Sequence, residues 1–121
     1  YNGVQFRSRL EARWAAFFDL CGWKWDYEPI DLQGWAPDFS LETPFCTVFV
    51  EVKPVDTADV RDPAFAKAIV HHQSVQVMLL GRGPEACDFL AVGSMLDPPD
   101  DASYDWLDVA GSLSCSSRVL F

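Results

Sequence analysis

Residues 47–53 constrain the fold of this chain more than any other segment. They read Thr-Val-Phe-Val-Glu-Val-Lys, and β-branched and aromatic residues of this kind favour an extended strand. Glu51 and Lys53 interrupt the apolar pattern near its end. Alternate residues of a strand share one face and lie about 6–7 Å apart along it, so we expect this carboxylate and this ammonium to project together.

The register of a hairpin connects this strand to the segment before it. A turn centred at residues 44–45 places Asp38 directly opposite Glu51 on one face of the hairpin. The apolar pairs of the same register, on the other face, are Phe39 with Val50 and Leu41 with Val48. Because one register satisfies both the hydrophobic face and the polar cluster, we predict that the two carboxylates and the lysine lie together.

The periodicity of the whole chain predicts one α/β domain over residues 1–121, with a central mixed sheet flanked by helices. Asp62 followed by Pro63 is typical of a helix N-terminus, and Gly22 is typical of a helix end. The predicted elements are a helix over residues 6–21, strands over 23–28, 38–41 and 47–53, a helix over 62–73 and an interior strand over 75–80. The tail predicts a candidate strand over 89–92, a loop over 97–101 and either element over 104–109.

The charge balance limits what this chain binds. Nine Lys and Arg residues stand against eighteen Asp and Glu residues, which gives a net charge of −9. Such a chain repels polyanions, so nucleic-acid chemistry would require a local basic patch or bound cations. The apolar runs are far shorter than the ~20 residues of a membrane span, and no signal peptide opens the sequence. We therefore expect a soluble, cytoplasmic protein that does not contact a membrane.

Paired carboxylates beside a lysine point to a particular chemistry. Two carboxylates within a few ångströms repel each other and raise a pKa unless a cation lies between them. Mg²⁺ suits such a site because it binds one or two carboxylates together with waters and phosphate oxygens. In phosphodiester hydrolysis the ion polarises the phosphate and activates the attacking water, and a nearby lysine holds that water or neutralises developing charge.

These residues also form a recognisable motif. Pro37-Asp38, followed after a short hairpin by Glu51-Val52-Lys53, resembles the PD-(D/E)XK motif of the restriction-endonuclease-like nucleases. The αβββαβ core of that family has the same element order as the one predicted above. The resemblance implies an endonuclease that depends on Mg²⁺ or Mn²⁺ and cuts nucleic acid, DNA above all.

The resemblance also implies roles for individual residues. Asp38 and Glu51 would be metal ligands, the backbone carbonyl of Val52 a further ligand, and Lys53 the residue acting on the nucleophilic water. Glu11 matches a helix glutamate that completes the metal site in many members of the family. Residues 6–14, together with Tyr27-Glu28-Pro29, are similar to small phage or mobile-element nucleases.

Simpler interpretations of the charged residues remain open at this point. Glu51 and Lys53 are also typical of a charged pair that lies on an edge strand or faces solvent, where it discourages aggregation. Glu11 lies four residues after Arg7, and this spacing suits an ordinary ion pair on one helix face. Arg7, Arg9 and Arg13 would either contact phosphates or form a solvated helix face that balances acidic neighbours.

Several other side chains favour structural roles. Lys67, His71 and His72 fall on or at the end of the second predicted helix, where histidines interact well with the helix dipole, although this helix often flanks the site in the family. The aromatic stripe of Trp23, Trp25 and Tyr27 favours core packing over base stacking. The cysteines, which are expected to be free thiols, are Cys21, Cys46, Cys87 and Cys115.

Two other functions compete with the enzyme. One is a catalytically inactive module that keeps the nuclease fold and binds a protein, and the other is an acidic mimic of DNA that occupies another protein's DNA site. The combination of Asp38, Glu51 and Lys53 favours the enzyme, because neither alternative requires a lysine beside paired carboxylates. If the chain is a nuclease, its net charge of −9 indicates that affinity for DNA comes from a partner protein, a homodimer or sequence outside this chain.

Overall fold

The computed structural model of the protein describes residues 3–82, 90–91, 93–113 and 119–120. The first elements are α1 (Arg9–Leu20), β1 (Lys24–Tyr27), β2 (Phe39–Glu42) and β3 (Thr47–Val52). A 3-10 helix (Pro63–Phe65) then leads into α2 (Ala66–Ile69) and β4 (Gln76–Leu80). The remaining described elements are β5 (Leu90–Ala91), β6 (Ser94–Met95), α3 (Trp106–Ser112) and β7 (Val119–Leu120). No described helix is long and apolar enough to cross a membrane.

Five strands form a mixed sheet in the order β1-β2-β3-β4-β6, which confirms the predicted α/β class. β2 is antiparallel to both β1 and β3, whereas β3 and β4 are parallel and α2 lies in the connection between them. β5 and β7 pair separately. Because β3 has a neighbouring strand on each side, the interpretation of Glu51 and Lys53 as a charged pair on an edge strand is wrong.

The hairpin of β2 and β3 has the predicted register. Phe39 lies opposite Val50, and Leu41 lies opposite Val48. A slip by one residue would turn these apolar side chains to the opposite face, so the buried face specifies the register. Just before β2 the ladder becomes irregular, because the Asp38 N–H donates to the Val50 carbonyl at 2.9 Å.

An apolar layer covers each face of the sheet. The layer on the α1 face includes Trp14, Ala15, Phe18, Phe39, Leu41, Val48, Val50, Val52, Met78 and Leu80. The layer on the other face includes Trp35, Ala58, Phe65, Ala68, Val77 and Leu79. Trp23, Trp25 and Tyr27 pack in the first layer, so the predicted structural role of the aromatic stripe is confirmed. By strand alternation, Glu51 lies on the opposite face from Val50 and Val52.

α1 is shorter at its N-terminus than predicted. It begins at Arg9 rather than at residue 6, because Ser8 is extended and its side chain accepts a hydrogen bond from the Glu11 N–H. At the other end, the helix stops at Leu20 and Gly22 follows with a φ of 73°, as its identity predicts.

α2 is also shorter than predicted, although its beginning is correct. Asp62 caps the 3-10 helix by accepting from the Ala64 N–H at 2.9 Å. α2 ends at Ile69 rather than near residue 73, and the N–H groups of His71 and His72 bond three residues back in tight turns. Val70 is 76% exposed, so the apolar face that would hold further helical turns against the sheet ends there.

The structure describes part of the tail. Residues 97–101 are a loop, as predicted. For residues 104–109 the sequence predicted either a helix or a strand, and the structure has a helix there, α3, which begins at Trp106. The strand predicted over 89–92 is present at Leu90–Ala91, while residues 89 and 92 lie outside the described part of the chain. Cys21 and Cys46 are free thiols, as predicted. Cys87 and Cys115 lie outside the described residues.

Candidate active site

Three carboxyl groups meet near the carboxyl end of β3. Glu51 belongs to β3, Asp38 immediately precedes β2, and Glu11 lies in the first turn of α1. The Asp38 carboxyl interacts with the side chains of both Glu51 and Glu11. Glu11 and Glu51 are each only 6% exposed, so this cluster is set into the protein rather than spread over its surface.

Backbone groups fix Asp38 in place. Its carbonyl accepts from the Glu28 N–H at 2.8 Å, and its own N–H donates to Val50. Its Oδ2 accepts from the Val52 N–H at 2.8 Å, so the side chain replaces the next bond of the β2–β3 ladder. In an antiparallel pair the N–H and carbonyl of one residue point to the same neighbour, so the Val52 carbonyl lies on the Asp38 side of β3.

Glu51 is held by an aromatic side chain. The indole Nε1–H of Trp35 donates to Oε2 of Glu51 at 2.9 Å, and both groups are buried. Trp35 is 3% exposed and belongs to the turn between β1 and β2, two residues before Pro37. A buried indole N–H requires a hydrogen-bond partner, and this glutamate supplies it.

Glu11 is held by the residue that caps its helix. The Ser8 hydroxyl donates to Oε1 of Glu11 at 3.0 Å, while the Glu11 N–H donates to Ser8 Oγ at 3.1 Å. Arg7 precedes the helix, and its guanidinium pairs with Glu28 at 2.7 Å. The interpretation of Glu11 as the partner of Arg7 in an ordinary helical ion pair is therefore wrong.

Burial and neighbouring carboxyl groups raise the pKa of Asp38 and of Glu11. Burial, together with the adjacent Glu51 carboxyl, raises the pKa of Asp38 to about 7, and the Val52 N–H opposes that rise. Burial and the neighbouring Asp38 carboxyl also raise the pKa of Glu11. Without a cation, the cluster therefore lowers its own charge by retaining a proton near neutral pH.

Lys53 extends β3 by one backbone hydrogen bond. Its N–H donates to the Leu80 carbonyl at 3.0 Å, and the residue is partly buried. Among the described residues, no ion pair within 4 Å joins Lys53 to any of the three carboxyl groups. Asp38 and Glu51 lie together, as predicted. That the ammonium group of Lys53 lies with them stays a prediction.

The three arginines differ in their relation to this cluster. Arg7 is connected to it through Glu28, because Glu28 pairs with Arg7 and donates its N–H to the Asp38 carbonyl. Arg9 and Arg13 are exposed and lie two residues before and after Glu11 on α1. Residues two apart on a helix point to opposite sides, so these two arginines face away from the carboxyl groups.

The donor chemistry of the cluster suits a hard divalent cation. Its side chains offer only carboxylate oxygens, with the Val52 carbonyl on the same side of β3, and Mg²⁺ and Mn²⁺ favour such ligands. Within the described part of the chain, no three His, Cys, Asp or Glu side chains form a group with the geometry of a metal site. Glu51 approaches Asp38 from one face of the sheet, whereas Glu11 comes from the helix that covers the other face.

Sequence reasoning missed three residues that support the cluster. They are Ser8, Glu28 and Trp35. Ser8 carried a signal, because serine three residues before glutamate is typical of a helix N-cap. Trp35 carried a weaker signal, as a large aromatic residue in a turn two residues before Pro37-Asp38. The positive φ of Glu28, 47°, is uncommon for a residue other than glycine and had no signal in the sequence.

No protein-family model, curated protein sequence or solved structure matches this chain. Functional inference therefore depends on the residues of the cluster and their environment. Three buried or half-buried carboxyl groups drawn from separate elements are costly to assemble, and clusters of this kind are typical of functional sites.

Proposed function

We propose that this protein is a nuclease with a restriction-endonuclease-like PD-(D/E)XK core that hydrolyses phosphodiester bonds, those of DNA above all, with Mg²⁺ or Mn²⁺. The observation that supports the proposal most strongly is the contact of Asp38 with both Glu11 and Glu51 at the end of β3. Burial of like charges destabilises a fold, so their retention favours a functional role such as cation binding.

The residues that would hold the ion are Asp38, Glu51 and Glu11, with the backbone carbonyl of Val52. Their oxygens satisfy the preference of Mg²⁺ for carboxylates and leave room for waters and substrate phosphate in its shell. A bound ion supplies Lewis-acid polarisation of the phosphate and lowers the pKa of the attacking water. The proton that Asp38 retains near pH 7 would leave when a cation takes its place.

Two cationic side chains complete the proposed chemistry. Lys53, which follows the motif glutamate on the same strand, would orient the attacking water and neutralise the charge that develops on the phosphate. Arg7 is beside the cluster, and its guanidinium can bind a phosphate bidentately. In this proposal the carboxylates hold the metal ion, and the two cationic side chains contact the water and the substrate.

The acidity of the chain affects how it would reach its substrate. With a net charge of −9, the protein would bind DNA weakly by itself. We therefore assign the main affinity to a partner protein or to a second copy of this chain. A homodimer would also supply the two sites that cutting both strands of a duplex requires.

A catalytically inactive module or an acidic DNA mimic is the second candidate. One observation favours it: among the described residues, Lys53 forms no ion pair within 4 Å of the carboxyl groups. In that case the cluster would be a remnant and the acidic surface would bind a basic protein partner.

Cleavage assays separate the two candidates. The protein is incubated with supercoiled plasmid and with single-stranded DNA, in Mg²⁺, Mn²⁺ or EDTA. We expect cleavage that depends on the metal and that is lost in Asp38→Ala and in Lys53→Ala. Glu42→Gln is the matched control, because it removes an exposed acid from the same hairpin and should cut like the wild type. Folded wild-type protein that cuts neither substrate in either metal would support the binding module instead.

A further inference from the structure

The turn between β1 and β2 supplies a hydrogen bond to the cluster that the proposed motif does not include. Trp35 and Leu32 form an isolated bridge, with their N–H groups donating to each other's carbonyls at 2.6 and 2.8 Å. This bridge holds the indole beneath β3, where its Nε1–H reaches Oε2 of Glu51 at 2.9 Å. The Trp35 ring also packs near His71, with ring centroids 5.7 Å apart.

An indole differs from other donors in one useful respect. It donates a single hydrogen bond, accepts none and carries no charge. It therefore orients a carboxylate without neutralising the negative charge of that carboxylate. The bond occupies Oε2 of Glu51 and leaves Oε1 without that restraint. Because Trp35 is 3% exposed and fixed at its backbone, water replaces this bond poorly.

We propose that Trp35 is a positioning residue, which fixes the Glu51 carboxylate so that its other oxygen is directed to the divalent cation. This inference rests on the proposed function. Ligating carboxylates are generally held by outer hydrogen bonds, and removing such a partner typically weakens metal affinity by about 10–100-fold. Trp35 therefore acts through Glu51 and need not touch the substrate.

The chain contains a matched control for this substitution. Trp25 also donates its indole Nε1–H to a carboxylate, Oδ1 of Asp19, at 2.8 Å. That bond is exposed and joins α1 to β1, apart from the three-carboxyl cluster. Trp35→Phe and Trp25→Phe thus remove the same kind of hydrogen bond and the same ring atoms from two places.

Calorimetry with Mn²⁺ alone tests the inference without measuring activity. We expect Trp35→Phe to bind Mn²⁺ about 10–100-fold more weakly than the wild type, and Trp25→Phe to remain within about twofold. Equal affinities of the two variants would overturn the role of Trp35 while leaving the proposed function intact. Failure of the folded wild-type protein to bind Mn²⁺ would overturn the metal site itself.

Nuclear magnetic resonance of the wild-type chain gives a second readout. It decides the question even if Trp35→Phe fails to fold. Titration with Mg²⁺ alone should shift the indole N–H resonance of Trp35, identified by its proximity to the His71 ring. The Trp25 indole resonance should stay in place. A Trp35 resonance that does not move while Mg²⁺ binds would refute the positioning role.

Discussion

Replacing Asp38 with asparagine is expected to stabilise the metal-free protein at neutral and alkaline pH. The substitution removes a carboxyl group whose pKa rises from its ordinary value of 3.8 to about 7 through burial and the adjacent Glu51. The side-chain oxygen of asparagine can still accept from the Val52 N–H, so the local backbone bond is retained.

The pH dependence follows from the direction of this shift. Well below pH 4, Asp38 is protonated in both the folded and the unfolded chain, so its ionisation does not reduce the free energy of unfolding. As the pH rises towards 7, the unfolded chain loses this proton while the folded chain retains it, so stability falls. At about 1.4 kcal/mol for each pH unit, the rise to about 7 corresponds to roughly 4 kcal/mol, and partial solvent screening reduces it to roughly 2–4 kcal/mol.

Urea unfolding in EDTA measures this effect. The free energy of unfolding of Asp38→Asn should exceed that of the wild type by roughly 2–4 kcal/mol at pH 8, and the excess should shrink to below about 1 kcal/mol at pH 4. Glu42→Gln, which removes an exposed acid, should follow the wild-type curve. A constant difference between Asp38→Asn and the wild type across this range would refute the origin assigned to the shift.

Two further predictions concern the ion pair beside the site and the core. Glu28→Gln should break the 2.7 Å ion pair of Arg7 and so raise the affinity for DNA. We expect a gain of about twofold to fivefold, because an exposed ion pair is worth up to ~1 kcal/mol. Fluorescence anisotropy in Ca²⁺ measures the affinity for DNA. Asp26→Asn removes the same charge from β1, and an equal gain in its affinity would show that net charge alone is responsible. Phe18→Ala should lower the free energy of unfolding by about 3–5 kcal/mol in denaturant titrations, because Phe18 is fully buried between α1 and the sheet. A loss below 1 kcal/mol would contradict this packing.

The hairpin register was predictable because it follows from a local rule. Side chains alternate strictly along a strand, so a buried face that contains Phe39 and Val50 excludes a slip by one residue, and the short turn fixes the rest of the alignment. That alignment brings Asp38 towards Glu51 without any knowledge of the rest of the fold. The order of helices and strands was predictable for the same reason, since periodicity is read from neighbouring residues.

Contacts between distant segments were not predictable. Arg7 pairs with Glu28, far along the chain, rather than with Glu11 at helical spacing, because Ser8 caps α1 and leaves Arg7 outside the helix. The end of α2 likewise depends on which side chains the sheet covers, and the bond from Trp35 to Glu51 depends on where a turn folds back. Tertiary packing determines this ion pair, this helix end and this hydrogen bond.

The acidic cluster draws its three members from a helix, a strand and the turn that precedes another strand. It therefore exists only when α1 has docked on the finished hairpin. A cation held by all three carboxyl groups would bind the folded chain in preference to the unfolded chain, and so would stabilise the docking of α1 on the hairpin. The free energy of unfolding would then rise with the concentration of the ion.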